Sequence, residues 1–282
     1  MNILPKIFLL IGGLSAVSCL AVPAEKESPF IAATFNVRVD VDKSPYTWAE
    51  RLPRCREIIQ KNNIDILGLQ EPRIEQLESL VENSAYDYIG GGREDFKRKG
   101  EFSCILYRRS RFTCLQSGTF GLSETPDQPG VRSWGSACPR IATWGLFRDK
   151  ATGKEFIYYN THLDHRSELA RCEGIRQLVA HAKKYATGKP IMISGDFNAY
   201  PDSETYRTAQ SLLRDSNTIS LTPHTGPANT FHNWGKGKAT RPIDFIFVSD
   251  EFQVQSHRTD DRLVDGKYAS DHFPVVVTLT LR

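Results

Sequence analysis

The sequence predicts an α/β fold in a single domain, and three observations carry that expectation. Apolar β-like runs alternate with stretches of helical spacing in both halves of the chain. Each run stops at polar residues, among them Asn36, Glu71, His162 and Asp196. No linker rich in Gly, Ser or Pro divides residues 25–282.

The first 24 residues are expected to lie outside that domain. "MNILPKIFLLIGGLSAVSCLAVPA" carries Lys6, an apolar run from Ile7 and then small residues. That order reads as a signal peptide, too short to span a membrane as a stable helix. Two cleavage sites compete: Cys19 after Ala16-Val17-Ser18, of lipoprotein type, and Val22-Pro23-Ala24, of ordinary secretory type. The lipoprotein reading is preferred, because a lone cysteine ending an apolar segment is otherwise unusual. The protein is then expected to be exported, periplasmic or attached to the membrane surface through lipidated Cys19.

The domain opens with "FIAATFNVRV" (30–39), a strand that turns polar at Asn36. In "WAERLPRCREIIQ" the residues Trp48, Leu52, Cys55 and Ile59 fall on one helical face. "IDILGLQE" (64–71) reads as a buried strand ending at Glu71, followed by a short helix, "IEQLESLVEN". "FSCILYRR" and "RFTCLQSGTFGLS" read as a hairpin around Arg109-Ser110. Residues 123–139 form a long loop with three prolines and Trp134. Loops of that length inside a compact domain are usually functional or disordered. The second half repeats the strand–helix–strand order. "EFIYYNTHL" (155–163) ends at Asn160 and His162; a helix follows with Leu169, Cys172, Ile175 and Leu178 on one face; "PIMISGDFN" ends at Asp196 and Asn198. "RPIDFIFVS" (241–249) and "FPVVVTLTL" (273–281) complete the β-like runs. Crossovers of one hand pack alike, and ligands of α/β folds collect beyond strand ends. The two halves are therefore expected to bring their polar ends to one site.

Composition narrows the function. A net charge of +3 gives no strong global field for nucleic acid or membrane. The clusters Arg93, Lys97, Arg98, Lys99 and Arg108, Arg109, Arg111 read as solvated loop and edge-strand charge. Beyond Cys19 the five cysteines show no CxxC or Cys/His spacing, which speaks against a cysteine-based zinc site. Cys55 and Cys172 read as core; whether Cys104 and Cys114 pair across their turn is left open. No G-x-S-x-G elbow is present, which speaks against an α/β-hydrolase nucleophile.

The strand ends gather Asn36, Glu71, His162, Asp196, Asn198, Asp244, Asp271 and His272. Singly, several have structural explanations as turn formers or caps. Asp244 does not, because a carboxylate inside Ile243-Asp244-Phe245-Ile246-Phe247 needs a partner or a site. Carboxylates and amides without thiolates suit a hard cation such as Mg²⁺ or Mn²⁺. Acids and histidines beside such an ion fit metal-assisted phosphoester hydrolysis.

The motifs "TFNVR", "GLQEP", "NTHLDH", "SGDFNAYP", "RPIDFIFVS" and "SDHFPV", in that order from Thr34 to Val275, resemble the endonuclease/exonuclease/phosphatase superfamily. "SWGSACPRIATW" further resembles an uncharacterised secreted bacterial branch of it. The resemblance implies a four-layer α/β sandwich, with two mixed β-sheets packed face to face and helices outside. It implies a metal site of Glu71, with Asn36 and Asp271 assisting. Asp196 would activate the attacking water, Asn198 would hold a phosphate oxygen, and His272 would pair with Asp244 and contact the scissile phosphate. His162 would bind phosphate or assist the leaving group, and Arg140 would add a bidentate phosphate contact. Trp134, Phe231 and Trp234 are candidates to stack a base or sugar, or to pack a loop. The expected substrate is a phosphorylated small molecule, a phospholipid headgroup or a nucleic acid, with small or single-stranded esters favoured, hydrolysed by a monomer. A duplex nuclease and a non-catalytic binding module on the same fold are the alternatives.

Overall fold

The computed structural model describes Met1 and residues 27–282, so the signal peptide expected over 1–24 and the lipidation expected at Cys19 fall outside the described residues but for Met1. In chain order the elements are β1 (Phe30–Asn36), α1 (Trp48–Lys61), β2 (Ile66–Gln70), α2 (Ile74–Val81), β3 (Tyr86–Ile89), β4 (Ser103–Arg108), β5 (Phe112–Gly121) and β6 (Ile141–Asp149). There follow β7 (Glu155–His162), α3 (Glu168–Ala186), β8 (Ile191–Asp196), α4 (Glu204–Gln210), β9 (Arg214–Asp215), β10 (Asp244–Val248), β11 (Phe252–Thr259) and β12 (Val275–Leu281). One sheet runs β11-β12-β1-β2-β4-β3, and the other β5-β6-β7-β8-β10-β9.

Both sheets are mixed. β1 and β2 are parallel around the α1 crossover, and β7 and β8 are parallel around α3. The other strand pairings are antiparallel. The repeated strand–helix–strand logic of the sequence is thus the centre of each sheet. Three apolar clusters fill the three interfaces of a four-layer sandwich. Leu67, Leu69, Cys55, Ile58 and Leu77 join β2 to α1 and α2. Ile193, Tyr159, Ile175 and Leu178 join the second sheet to α3. Phe30, Phe112, Phe147, Phe156 and Phe252 meet between the sheets, with Phe30 and Phe112 5.3 Å apart edge to face. The helices start where capping chemistry allows. Glu50 reaches back to the Thr47 N–H at 3.1 Å, and Ser167 Oγ accepts from the Ala170 N–H at 3.1 Å.

The hairpin expected around Arg109-Ser110 does not form. β4 pairs with β2 and β3, whereas β5 pairs with β6 in the opposite sheet. Each strand is tied to its own sheet: Arg108 to Asp65 at 3.1 Å, and Arg111 to Asp149 at 2.8 Å. Ile105 and Phe112 both face the inter-sheet core, so the local pattern identifies two strands without identifying their partners. All five described cysteines are accordingly free, Cys104 and Cys114 included. Leu169 is 57% exposed rather than on the buried face of α3. The elements β3, α4, β9 and β11 are additions to the sequence reading.

A polar clamp crosses the apolar space between the sheets. Asn160 on β7 donates to the carbonyls of Leu69 and Cys104, both at 2.8 Å. Its Oδ1 accepts from Gln70 Nε2 at 2.7 Å and from Ser194 Oγ at 3.2 Å. Gly68 leaves the room for this contact, since a Cβ there would overlap Ser194 and Asn160. Asn160→Ala would remove one partner from each of two carbonyls and two donors in a dry layer, although Gln70 keeps Thr34 Oγ1 and Ser194 keeps the Tyr158 hydroxyl. It is expected to lower unfolding free energy by about 2–3 kcal/mol. Urea denaturation checks this, and a loss below about 1 kcal/mol would remove the clamp from the account.

Candidate active site

The site lies where the parallel strands end and their antiparallel neighbours begin. Asn36 closes β1, Glu71 follows β2, His162 closes β7, and Asp196 closes β8. Asp244 opens β10 in direct register with Asp196, and Asp271 and His272 precede β12, which pairs with β1. Opposite chain directions therefore deliver polar residues to one edge of both sheets. Arg38, Glu71 and Asn198 have φ angles of 59°, 72° and 47°. Left-handed backbone at non-glycine residues is costly and concentrates at functional sites.

Asp196 Oδ2 is the point on which the groups converge. Asn36 Nδ2 donates to it at 3.0 Å, His162 Nε2 lies 3.5 Å away and His272 Nε2 3.7 Å away. Asp196 Oδ1 accepts the Asn198 N–H at 2.9 Å. Behind it, His272 Nδ1 meets Asp244 Oδ2 at 2.9 Å, the pairing expected from an acid inside an apolar strand. Asn198 Nδ2 contacts His162 Nε2 and the Leu163 carbonyl, both at 3.1 Å, which anchors the imidazole ring.

The electrostatics separates these groups. Burial, reinforced by the charge of Asp244, pushes Asp196 up to about 7. Burial alone would lower His272, but the Asp244 carboxylate, with Asp196 and Asp271 nearby, raises it to about 10. Burial and the charge of Arg140 keep His162 neutral, well below the ordinary histidine value. Glu71 stays ionised although burial opposes it, because the Asn36 amide, the Val39 N–H, His272 and Arg38 stabilise its carboxylate. A base near neutrality thus stands beside an imidazolium and a neutral imidazole.

Glu71 and Asp271 form an acidic pair suited to a cation. Asn36 Nδ2 and the Val39 N–H hold the two Glu71 oxygens, each at 2.9 Å. The Arg38 guanidinium reaches both acids, 3.9 Å from Glu71 Oε2 and 3.8 Å from Asp271 Oδ2. A protein cation thus already answers this oxygen-only donor set, and the chemistry fits a hard metal ion. Among the described residues two other groups have ligand atoms close together. Asp196, Asp244 and His272 do, but there His272 Nδ1 is committed to Asp244. Cys138, Asp164 and His165 do as well, but Asp164 is spent on the N–H groups of Ala137, Arg166 and Ser167.

The site opens into a cleft of about 490 Å³. Its wall includes Arg38, Glu71, His162, Asp196, Asp271 and His272. Arg140 also lines it, buried, 3.5 Å from Asp164 and 2.9 Å from His165 Nδ1. It is a cleft residue and not a surface arginine. The proline-bearing loop reaches the cleft through Cys138, while the Trp134 carbonyl is tied to Ser167 Oγ at 2.7 Å. Trp234 is not part of the lining. Its ring stacks on Tyr46 at 4.0 Å with the Arg51 guanidinium above it, so it packs a loop, and Phe231 and Asn233 line the cleft instead. Sequence reasoning missed Arg38, Arg93, Glu101 and His165. Arg38 sits in "TFNVR" and His165 in "NTHLDH", so position inside the motifs was an available signal.

This arrangement of two mixed sheets and a convergent acid–histidine–amide edge defines a phosphoester hydrolase. The chain belongs to the Endonuclease/Exonuclease/phosphatase family, which it matches over residues 33–272. It is similar to the endonuclease/exonuclease/phosphatase of Bacteroides vulgatus, at 34% identity and TM-score 0.86 over 90% of this chain and 100% of that one. A mannosyl-6-phosphatase from Bacteroides thetaiotaomicron is also 34% identical, at TM-score 0.83, over 89% of this chain and 99% of that one. Protein angel of Drosophila melanogaster is 27% identical over 56% of this chain and 45% of its own length. The chain spans less than half the length of the curated relatives it matches. The family is metal-dependent, and its members hydrolyse phosphoesters.

Proposed function

We propose that this protein is a Mg²⁺- or Mn²⁺-dependent phosphoesterase that releases phosphate from small phosphate esters, sugar phosphates foremost. The observation that carries the reading is a cleft of about 490 Å³ lined together by Glu71, Asp196, Asp271, His162 and His272. That volume lies within the range of small-molecule pockets, about 300–1,000 Å³. The similarity to a mannosyl-6-phosphatase across nearly its whole chain supports the same class.

In this reading Asp196 Oδ2 takes a proton from the attacking water, and its raised affinity near neutrality suits that task. The phosphorus–oxygen bond to the leaving alcohol breaks in line with the attack, and the departing oxygen takes a proton from solvent as Asp196 gives its own back. The His272 imidazolium, oriented by Asp244, donates to a phosphate oxygen where negative charge collects. His162, oriented by Asn198, sits at the same phosphate or at the leaving oxygen. Arg140 offers Nη1, which has no partner among the described residues, to the phosphate. A hard divalent ion held by Glu71 and Asp271, with Asn36 alongside, would neutralise phosphate charge.

Phosphate release from hexose phosphates and p-nitrophenyl phosphate, nitrophenol release from bis-p-nitrophenyl phosphate, and strand cleavage of single-stranded DNA and supercoiled plasmid test this. Small esters are expected to be cleaved and the plasmid left intact. Efficient nicking of plasmid at low enzyme concentration, with no phosphate from small esters, would make it a duplex nuclease.

A further inference from the structure

Arg93 and Glu101 stand on opposite arms of the loop between β3 and β4. Their backbones pair, Arg93 N–H to Glu101 carbonyl at 3.0 Å, and Glu94 N–H bonds the Lys99 carbonyl at 3.1 Å. The Gly130 N–H holds the Arg93 carbonyl at 3.1 Å, which ties this loop to the proline-bearing one. On this rigid mount Arg93 Nη1 and Glu101 Oε2 form an ion pair at 2.6 Å, with side chains 19% and 17% exposed.

The pair occupies a distinctive place. Both residues line the catalytic cleft beside Arg140 and His162. Both also line an adjoining hollow of about 410 Å³, together with Arg73, Glu94, Arg98 and Lys99. They form the sill between the two. The pair leaves polar capacity unspent: Arg93 Nη2 and Glu101 Oε1 have no partner among the described residues, and Arg93 Nε is buried without one. Glu101 neutralises the guanidinium, so the sill offers no net charge to a second anion. An apolar group would cover donors and an acceptor without satisfying them. A planar donor fixed beside a carboxylate acceptor matches two neighbouring hydroxyls, one accepting from Arg93 and one donating to Glu101.

We propose that Arg93 and Glu101 form a specificity-determining subsite for vicinal hydroxyls of the leaving alcohol. This inference rests on the phosphate-ester reading above. A polar site that hydrogen-bonds substrate hydroxyls discriminates strongly against analogues that lack them.

The experiment compares hexose 6-phosphate with p-nitrophenyl phosphate, whose leaving group has no vicinal hydroxyls, for wild type, Glu101→Gln, Arg93→Met and Arg93→Lys. All variants are first checked for an unchanged melting transition. Glu101→Gln and Arg93→Met are expected to raise KM for the hexose phosphate about tenfold or more while kcat/KM for p-nitrophenyl phosphate stays within about threefold. Arg93→Lys should restore part of the loss. Equal losses on both substrates would make the pair structural, and unchanged kinetics on both would make it idle; either overturns the subsite. Wild-type protein that cleaves p-nitrophenyl phosphate but no hexose phosphate would overturn the subsite and leave the phosphoesterase standing. Cleavage of neither would bring down both.

Discussion

Asp244→Asn is expected to cost about 10²–10⁴ in kcat, by analogy with other histidine–aspartate dyads. The reasoning starts from burial. His272 is 6% exposed, and burial alone would strip its proton near neutrality. The Asp244 carboxylate at 2.9 Å reverses that and holds the ring as an imidazolium to about pH 10. Asparagine keeps an acceptor for Nδ1 but removes the charge, so the ring keeps its direction and loses its proton. The sign of the pH effect follows. Acid reprotonates His272 in the variant, whereas the wild-type ring is already charged, so the gap between them should narrow as pH falls. Steady-state pH profiles of both proteins check this, and a variant within about threefold of wild type at pH 7 would refute the dyad's role.

Glu71→Gln should reduce activity at fixed Mg²⁺ by about 10²-fold or more, on the order of 3 kcal/mol. One carboxylate of a two-acid site becomes a neutral amide, and hard cations are held chiefly by charged oxygens. The fold should survive. Glutamine retains an acceptor for Asn36 or for the Val39 N–H, the contacts that hold residue 71 in place. Part of the loss should return at higher Mg²⁺. Calorimetric titration with Mg²⁺, alongside a melting curve, separates weakened binding from unfolding. Wild-type affinity in the variant would move the metal elsewhere.

Much of the site was legible because it sits at strand ends. A buried apolar run that stops at Asp196 or Glu71 can be read locally, and Asp244 inside an apolar strand demanded a partner, found in His272. The parallel pairs around α1 and α3 were legible for the same reason, since a crossover constrains its own two strands. What the sequence did not reveal depends on distant packing. The partners of β4 and β5 are chosen by the whole sandwich and not by the three residues between them. β11, "FQVQSHRT", is an edge strand with polar residues on its open side, so it lacks a strong apolar run. Arg93 reads as one more solvated charge until the loop that carries it folds against Glu101 and the cleft. Trp234 has the composition of a stacking residue, but Tyr46, nearly two hundred positions earlier, occupies its face.

The measurement closest to the central claim is phosphate release from a hexose phosphate by the purified protein before and after chelation. Activity should vanish in excess EDTA and return when Mg²⁺ or Mn²⁺ is restored above the chelator. Full activity in excess chelator would contradict a hydrolysis that depends on the Glu71–Asp271 acids and their cation.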